Sequence, residues 1–262
     1  MDPDNIDIHD YSKKYLDEYG KPFSFEPVLT DVRRRQVLKS LTKYRHEHIL
    51  EVGCGLHPLF PHCTRFKSYT IVEPSHEFIE HVAGLAAGKR NIRIVEGFME
   101  QACEELLTGD QAFDFIIVNG VLHEVPQPER LLQSVRRVCG EDTVVYVSVP
   151  NVYSFHRLLA YEMGYIASIF DKSEMEAKFQ RHTRFDKKLL FEMVERNGFG
   201  ILSHGTYFIK PFSNEQMEAM VDKNIVGRDI VAGLEAMTKY MPDLGCEMFV
   251  DVKVRDLTNH RP

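Results

Sequence analysis

Residues 49–55 read Ile49-Leu50-Glu51-Val52-Gly53-Cys54-Gly55. A short apolar run ends in an acid and then in two glycines one residue apart. Glycines there let the chain turn tightly and bring its backbone close to a ligand, and a helix that follows would present free N–H groups. A dinucleotide fingerprint would continue as G-x-G-x-x-G, but the third glycine position counted from Gly53 is Pro58. Glu73 closes the next apolar run. A carboxylate at that point can accept hydrogen bonds from both hydroxyls of a ribose.

The same texture extends outward. Tyr69 to Val72 runs into Glu73, Ile92 to Val95 into Glu96-Gly97, Phe113 to Val118 into Asn119-Gly120, and Thr143 to Val149 into Pro150-Asn151. Helical spacing lies between these runs: Leu131, Leu132, Val135 and Val138 share one face, as do Leu189, Leu190, Met193 and Val194 between Asp186 and Gly198. Short runs alternating with helices predict an α/β fold, a doubly wound parallel sheet. Two late strands follow, about 199–209 and 246–254. Ser213 and Gln216 have the spacing of a capping box at the start of the helical stretch between them. Ligands of such sheets bind at the C-terminal ends of the strands. Residues 1–45, an N-terminal helical cap, and the helical insertions 152–180 and 211–244 are surplus to the sheet and are candidate lids over that edge of domain 46–262. In the cap, Tyr11, Tyr15 and Tyr19 recur every fourth residue, Gly20 and Pro22 stop the first helix, and a second runs from about 27 to 41.

Composition bounds the rest. A length of 262 residues corresponds to roughly 1.7 average domains, which one α/β domain with insertions satisfies. The chain is 44% hydrophobic and 27% charged, values that set aside disordered and fibrous classes. The net charge of −7 argues against a general nucleic-acid binder. Apolar runs are far shorter than the ~20 residues of a membrane span, and the acidic start Met1-Asp2-Pro3-Asp4-Asn5 has no signal-peptide core. Five cysteines without a CxxC pair suit a reduced, cytoplasmic setting. No His stands four residues after His76 or His123, so no zincin helix is read and no metal site is assigned.

Four blocks resemble the class I S-adenosylmethionine-dependent methyltransferases: residues 49–55, Ile71-Val72-Glu73-Pro74-Ser75, Glu96-Gly97-Phe98, and residues 113–125, which end in Asn119-Gly120-Val121-Leu122-His123-Glu124-Val125. The resemblance covers about residues 45–254 and implies a Rossmann-like seven-stranded sheet whose last strand is antiparallel. It implies S-adenosyl-L-methionine as cofactor, with Glu51, Gly53 and Gly55 around its methionine part. It places Glu73 at the ribose with Pro74 beside it, Gly97, Phe98 and Met99 at the adenine, and Asn119, Gly120 and Val121 along the sulfonium side. Two departures stand out: the third glycine of the first motif is His57, and the Asp common at the adenine is Phe98. Segments 149–157 and 205–217 look like a bacterial subgroup that modifies small metabolites or glycan precursors.

Each candidate also has a plainer reading. Glu51 and Glu73 could be strand-end acids without a ligand. His123 is the candidate catalytic residue, as a general base, an orienting hydrogen-bonder or a wall residue. Tyr11 and Tyr15 are candidate substrate contacts or helix packing. Arg181 and Arg184, in the one dense basic run at 181–188, form a phosphate or carboxylate clamp with His156, or a solvated face. The expected reaction is methyl transfer to an O or N atom of a small, anionic molecule. The alternatives are a protein or carrier-bound acceptor, and a binding protein without catalysis. Neither nucleic acid nor membrane is expected as a partner.

Overall fold

The computed structural model describes residues 6–19, 25–109, 112–172 and 182–255. In strand β1 (His48–Val52) Leu50 and Val52 project to one face, Ile49 and Glu51 to the other, as the two-residue period of a strand dictates. Both faces of a strand flanked by crossover helices are buried, and β1 is buried from Ile49 onward. β2 (Ser68–Glu73) and β4 (Phe113–Asn119) pair with it in parallel, and β3 (Ile92–Glu96) and β5 (Cys139–Pro150) extend the parallel sheet from β2 and from β4. β6 (Phe199–Tyr207) and β7 (Glu247–Val254) complete a seven-stranded sheet in the order β3-β2-β1-β4-β5-β7-β6. β7 lies antiparallel to both of its neighbours.

The helices divide between the faces. α1 (Ile8–Tyr19) and α2 (Glu26–Leu41) precede the sheet, and α2 lays Leu29, Val32, Val37 and Leu41 against Ile49, Ile117 and Tyr146. On the opposite face α4 (Met99–Leu107), α5 (Pro128–Arg137) and α7 (Lys187–Arg196) pack Met99, Leu131, Leu132, Val135 and Leu190 on Leu50, Val118 and Val147. α3 (His76–Ala86) is capped by Ser75, and α7 by Asp186, whose carboxylate accepts from Leu189 N at 2.7 Å. α6 (Phe155–Glu162) belongs to the first insertion. In the second, α8 (Asn214–Asp222) carries the predicted Ser213–Gln216 capping box, and α9 (Arg228–Ala236) follows it.

One expectation fails. The glycine turn after β1 leads into no α-helix: residues 53–67 are loop, with a single 3₁₀ turn at Phe60–His62. Pro58 and Pro61 explain this. Proline lacks an N–H and pushes the residue before it out of the helical region. The doubly wound order reverses between β1 and β4, and the crevice at their C-terminal ends is where such sheets hold ligands. Gly20 and Pro22, and residues 173–180 of the first insertion, lie outside the described residues.

Candidate active site

The crevice opens into a cavity of about 1530 Å³, part of it continuous with solvent. All eleven residues proposed for the cofactor line it: Glu51, Gly53, Gly55, Glu73, Pro74, Gly97, Phe98, Met99, Asn119, Gly120 and Val121. They arrive from the ends of β1, β2, β3 and β4, which parallel pairing holds side by side.

The glycine turn depends on conformations that side chains resist. Gly53 and Gly55 have φ of +69° and +55°, the left-handed region. A Cβ on Gly53 would stand 2.5 Å from Val121 Cγ2, whereas one on Gly55 would meet nothing within 4 Å. That open space at Gly55 faces the cavity and leaves room for a ligand against the backbone.

Two buried carboxyls flank the turn. Glu73, 4% exposed, accepts from Gly55 N through Oε2 and from Ser75 N through Oε1, both at 3.0 Å. Burial pushes its carboxyl up to about 7 against these two hydrogen bonds. Each oxygen keeps acceptor capacity, so the pair of ribose hydroxyls fits here. Glu51 is also pushed up to about 7 by burial, but its work is internal. It accepts from Leu59 N and from the Tyr69 hydroxyl, the latter at 2.7 Å, and so pins the far end of the 53–59 loop. At the end of β4, Asn119 Oδ1 accepts from Ser148 Oγ at 2.6 Å.

The cap closes the cavity from above. Tyr11 and Tyr15 line it, stacked on each other with ring centroids 5.8 Å apart, and Tyr15 meets Phe78 edge-on. Ser12 Oγ hydrogen-bonds Ser75 Oγ at 2.7 Å, and His9 pairs with Glu77, so α1 is docked on the start of α3. His123 lines the wall, 5% exposed, with Nε2 3.6 Å from Glu124 Oε1.

The other substrate candidates lie elsewhere. Neither His156 nor Arg184 lines the cavity. His156 is half-buried in the first insertion, and burial and then Lys210 hold its pKa well below the ordinary value. The backbone N–H groups of His182 and Thr183 donate to His123 O at 3.0 and 3.2 Å, which braces the wall from outside. Arg181 lies outside the described residues. No described residue of the 152–180 or 211–244 insertions lines the cavity.

Sequence reading missed the contribution of α2. Glu26, Thr30, Arg33, Arg34 and Val37 also line the cavity. Arg33 joins Glu26 at 2.8 Å and Glu247 at 2.7 Å. Burial of its guanidinium is opposed and outweighed by these two carboxylates, which hold its pKa above the ordinary value. An arginine run on a helix that otherwise packs on a core was the available signal. At the opposite end of the strands Glu47, His48 and Asp114 lie close together, but Lys67 and Arg45 pair with the two acids.

Residues 28–204 match the methyltransferase-domain family. The chain is an S-adenosylmethionine-dependent methyltransferase. The phosphatidylethanolamine N-methyltransferase of Cereibacter sphaeroides is 29% identical over 126 residues, 47% of this chain and 61% of that protein. Among solved structures, a methyltransferase of Thermotoga maritima described as a possible histamine N-methyltransferase superposes with a TM-score of 0.58 at 17% identity, over 95% of this chain and 99% of its own. The plantazolicin methyltransferase, solved with S-adenosylhomocysteine, gives 0.57 at 13% identity over 94% and 91%. These structures share the fold of this methyltransferase. Among its described residues no helix is long and apolar enough to cross a membrane.

Proposed function

We propose that this methyltransferase modifies a small molecule on an O or N atom inside the capped cavity, and that a basic amine fits the lining best. The observation that carries this reading is the charge of the wall. Five glutamates line the cavity against two arginines; Glu26 is paired with Arg33, Glu51 holds the loop after the turn and Glu73 takes the ribose, which leaves Glu100 and Glu124 as the acids offered to an acceptor. The anion clamp read from the basic run finds no support in this wall. The names of the Cereibacter and Thermotoga relatives, an ethanolamine-lipid and a possible histamine N-methyltransferase, favour nitrogen. The enclosing α1 favours a small acceptor over a protein surface.

S-adenosylmethionine supplies an activated methyl group bound to a sulfonium. The chain's part is to position and to exclude water, which are large terms when two reactants must meet in line. Glu73 orients the ribose, the turn at Gly53 and Gly55 admits the amino-acid end, and α1 shuts solvent out. His123 serves as general base. An ammonium must lose a proton before it can attack, and an imidazole is suited to take it near neutral pH. Glu124, 3.6 Å from His123 Nε2, stabilises the imidazolium that results.

The test is a screen of small amines, alcohols and acids coupled to detection of S-adenosylhomocysteine, followed by His123→Ala on the substrate found. Loss of the base lowers kcat by ~10²–10⁴-fold and leaves cofactor affinity nearly unchanged. Full activity of the variant would reduce His123 to a wall residue, and turnover confined to acids would remove the amine reading.

A further inference from the structure

We infer that the first insertion is a dimer interface: α6 and the loop after it dock on the same unit of a second copy of this chain, across a twofold axis. The sequence suggests a lid here, but the described residues of the insertion stay off the cavity. α6 buries none of its residues in its own chain. The loop that follows is nevertheless firmly held. Arg157 is spent inside the unit, its Nε donating to Ile169 O at 2.5 Å and a second N–H to Asp171 O. Asp171 Oδ2 accepts from Ala167 N and Ser168 N, both at 2.8 Å, and Tyr165 N donates to Ala160 O at 2.9 Å. The loop thus folds back along α6 with its polar groups turned on itself, and what it leaves outside is apolar. Tyr165 is 73% exposed, and Tyr153, Tyr161, Met163 and Phe170 are 43–52% exposed. Tyr153 and Phe170 meet edge to face.

Area and charge name the occupant. At ~200 Å² for a whole aromatic side chain, these five expose roughly 500 Å², the size of patch that marks an interaction site. A stable interface takes ~800 Å² from each partner, so five side chains supply more than half of one. Tyrosine, phenylalanine and methionine without charge are also the composition of an interface core. Between Tyr153 and Phe170 the chain has two charged residues, Arg157 and Glu162. A chain of net charge −7 is repelled by an anionic surface, and two copies repel each other least where both are uncharged. The charges at the border are placed for self-pairing. Glu162 is exposed at the C-terminal end of α6, and Lys172 is exposed at the other end, because Asp171 is tied back to the first turn of α6 through Arg157. About 12 Å of helix separates the two ends. A twofold axis reverses one unit against the other and so brings each Glu162 to the Lys172 of the second copy. Such border pairs set orientation, while the aromatic centre supplies affinity.

The experiment is sedimentation of the full chain at concentrations up to ~0.1 mM. Wild type should run as a dimer that dissociates on dilution. Tyr165→Glu puts a charge into the exposed patch and leaves the core alone. It should raise the dissociation constant by ~30-fold or more, the loss of a central anchor. Its circular dichroism and its affinity for S-adenosylhomocysteine should match wild type, because the described residues of this unit line no part of the cavity. Glu162→Lys and Lys172→Glu should each weaken the dimer by several-fold, and the double variant should regain most of the loss. A wild type that stays monomeric at ~0.1 mM overturns the interface, and so does a dimer that Tyr165→Glu leaves intact. Losses that simply add in the double variant overturn the twofold pairing. Monomeric protein that floats with phosphatidylcholine–phosphatidylglycerol vesicles gives the patch to a membrane surface and overturns the second copy.

Discussion

Tyr11 donates its phenol hydrogen to Glu124 Oε2 at 2.7 Å, although 113 positions separate the two residues. This bond fastens α1 to the turn after β4, directly beside His123. The cap is therefore latched to the cavity wall that carries His123 and not merely packed on the surface. Lids of this kind exclude water and gate release.

Tyr11→Phe keeps the ring that stacks on Tyr15 and removes only the hydroxyl. The latch is expected to lose about 1–2 kcal/mol, a factor of roughly 5–30. The dissociation rate of S-adenosylhomocysteine, followed by stopped flow, should rise by that factor with little change in association. An unchanged rate would mean that α1 opens independently of this bond.

Glu73 gives the protein a pH signature. Its carboxyl titrates near 7 in the native state, against 4.5 for a free side chain. Between those values the folded protein holds a proton that the unfolded chain releases, so this group's contribution to stability declines as pH rises from about 4.5 to 7. Ribose hydroxyls donate to the ionised form. Binding of S-adenosylhomocysteine should therefore weaken by up to about tenfold per pH unit below 7 and level off above it. Thermal melts and calorimetry from pH 5 to 8 check both statements. Glu73→Gln should flatten the binding profile and weaken affinity at pH 8; a profile as steep as the wild type's would assign the titration to another group.

Arg33 predicts a large effect on the fold. Arg33→Met leaves Glu247, 5% exposed at its side chain, buried without its partner, at a cost of ~3–5 kcal/mol. Tm should fall by about 6–20 °C. Combining it with Glu247→Gln should restore most of the loss, because the uncompensated charge is gone. No recovery in the double variant would show that packing of the arginine stem, and not the charge, is what matters.

What could be read from the chain follows how local its causes are. Glu73, Gly97 and Asn119 announce themselves because each ends an apolar run, and parallel pairing places the ends of such runs together. Ser213, Gln216 and Asp186 were legible as caps because a capping bond reaches only three residues. Arg33 and Arg34 were legible only weakly, through an arginine run on a helix that otherwise packs on a core. On a helix three arginines in a row read as a wetted face, and the partner that buries Arg33 stands 214 positions later. The helix expected after Gly55 failed for a local reason that was present in the sequence, the two prolines at 58 and 61. The first insertion looked like a lid because it follows a strand end, yet its described residues stay off the cavity.

The bond between Arg33 and Glu247 also orders events during synthesis. α2 leaves the ribosome early, and β7 is the last strand of the sheet to be made. At ordinary elongation rates 214 residues take ~10–40 s. Throughout that interval the outer wall of the cavity has its arginine but not the acid that anchors it. A nascent chain can thus assemble the glycine turn and the Glu73 ledge well before the arginine of the α2 wall is anchored, a step that waits until residue 247 has been made.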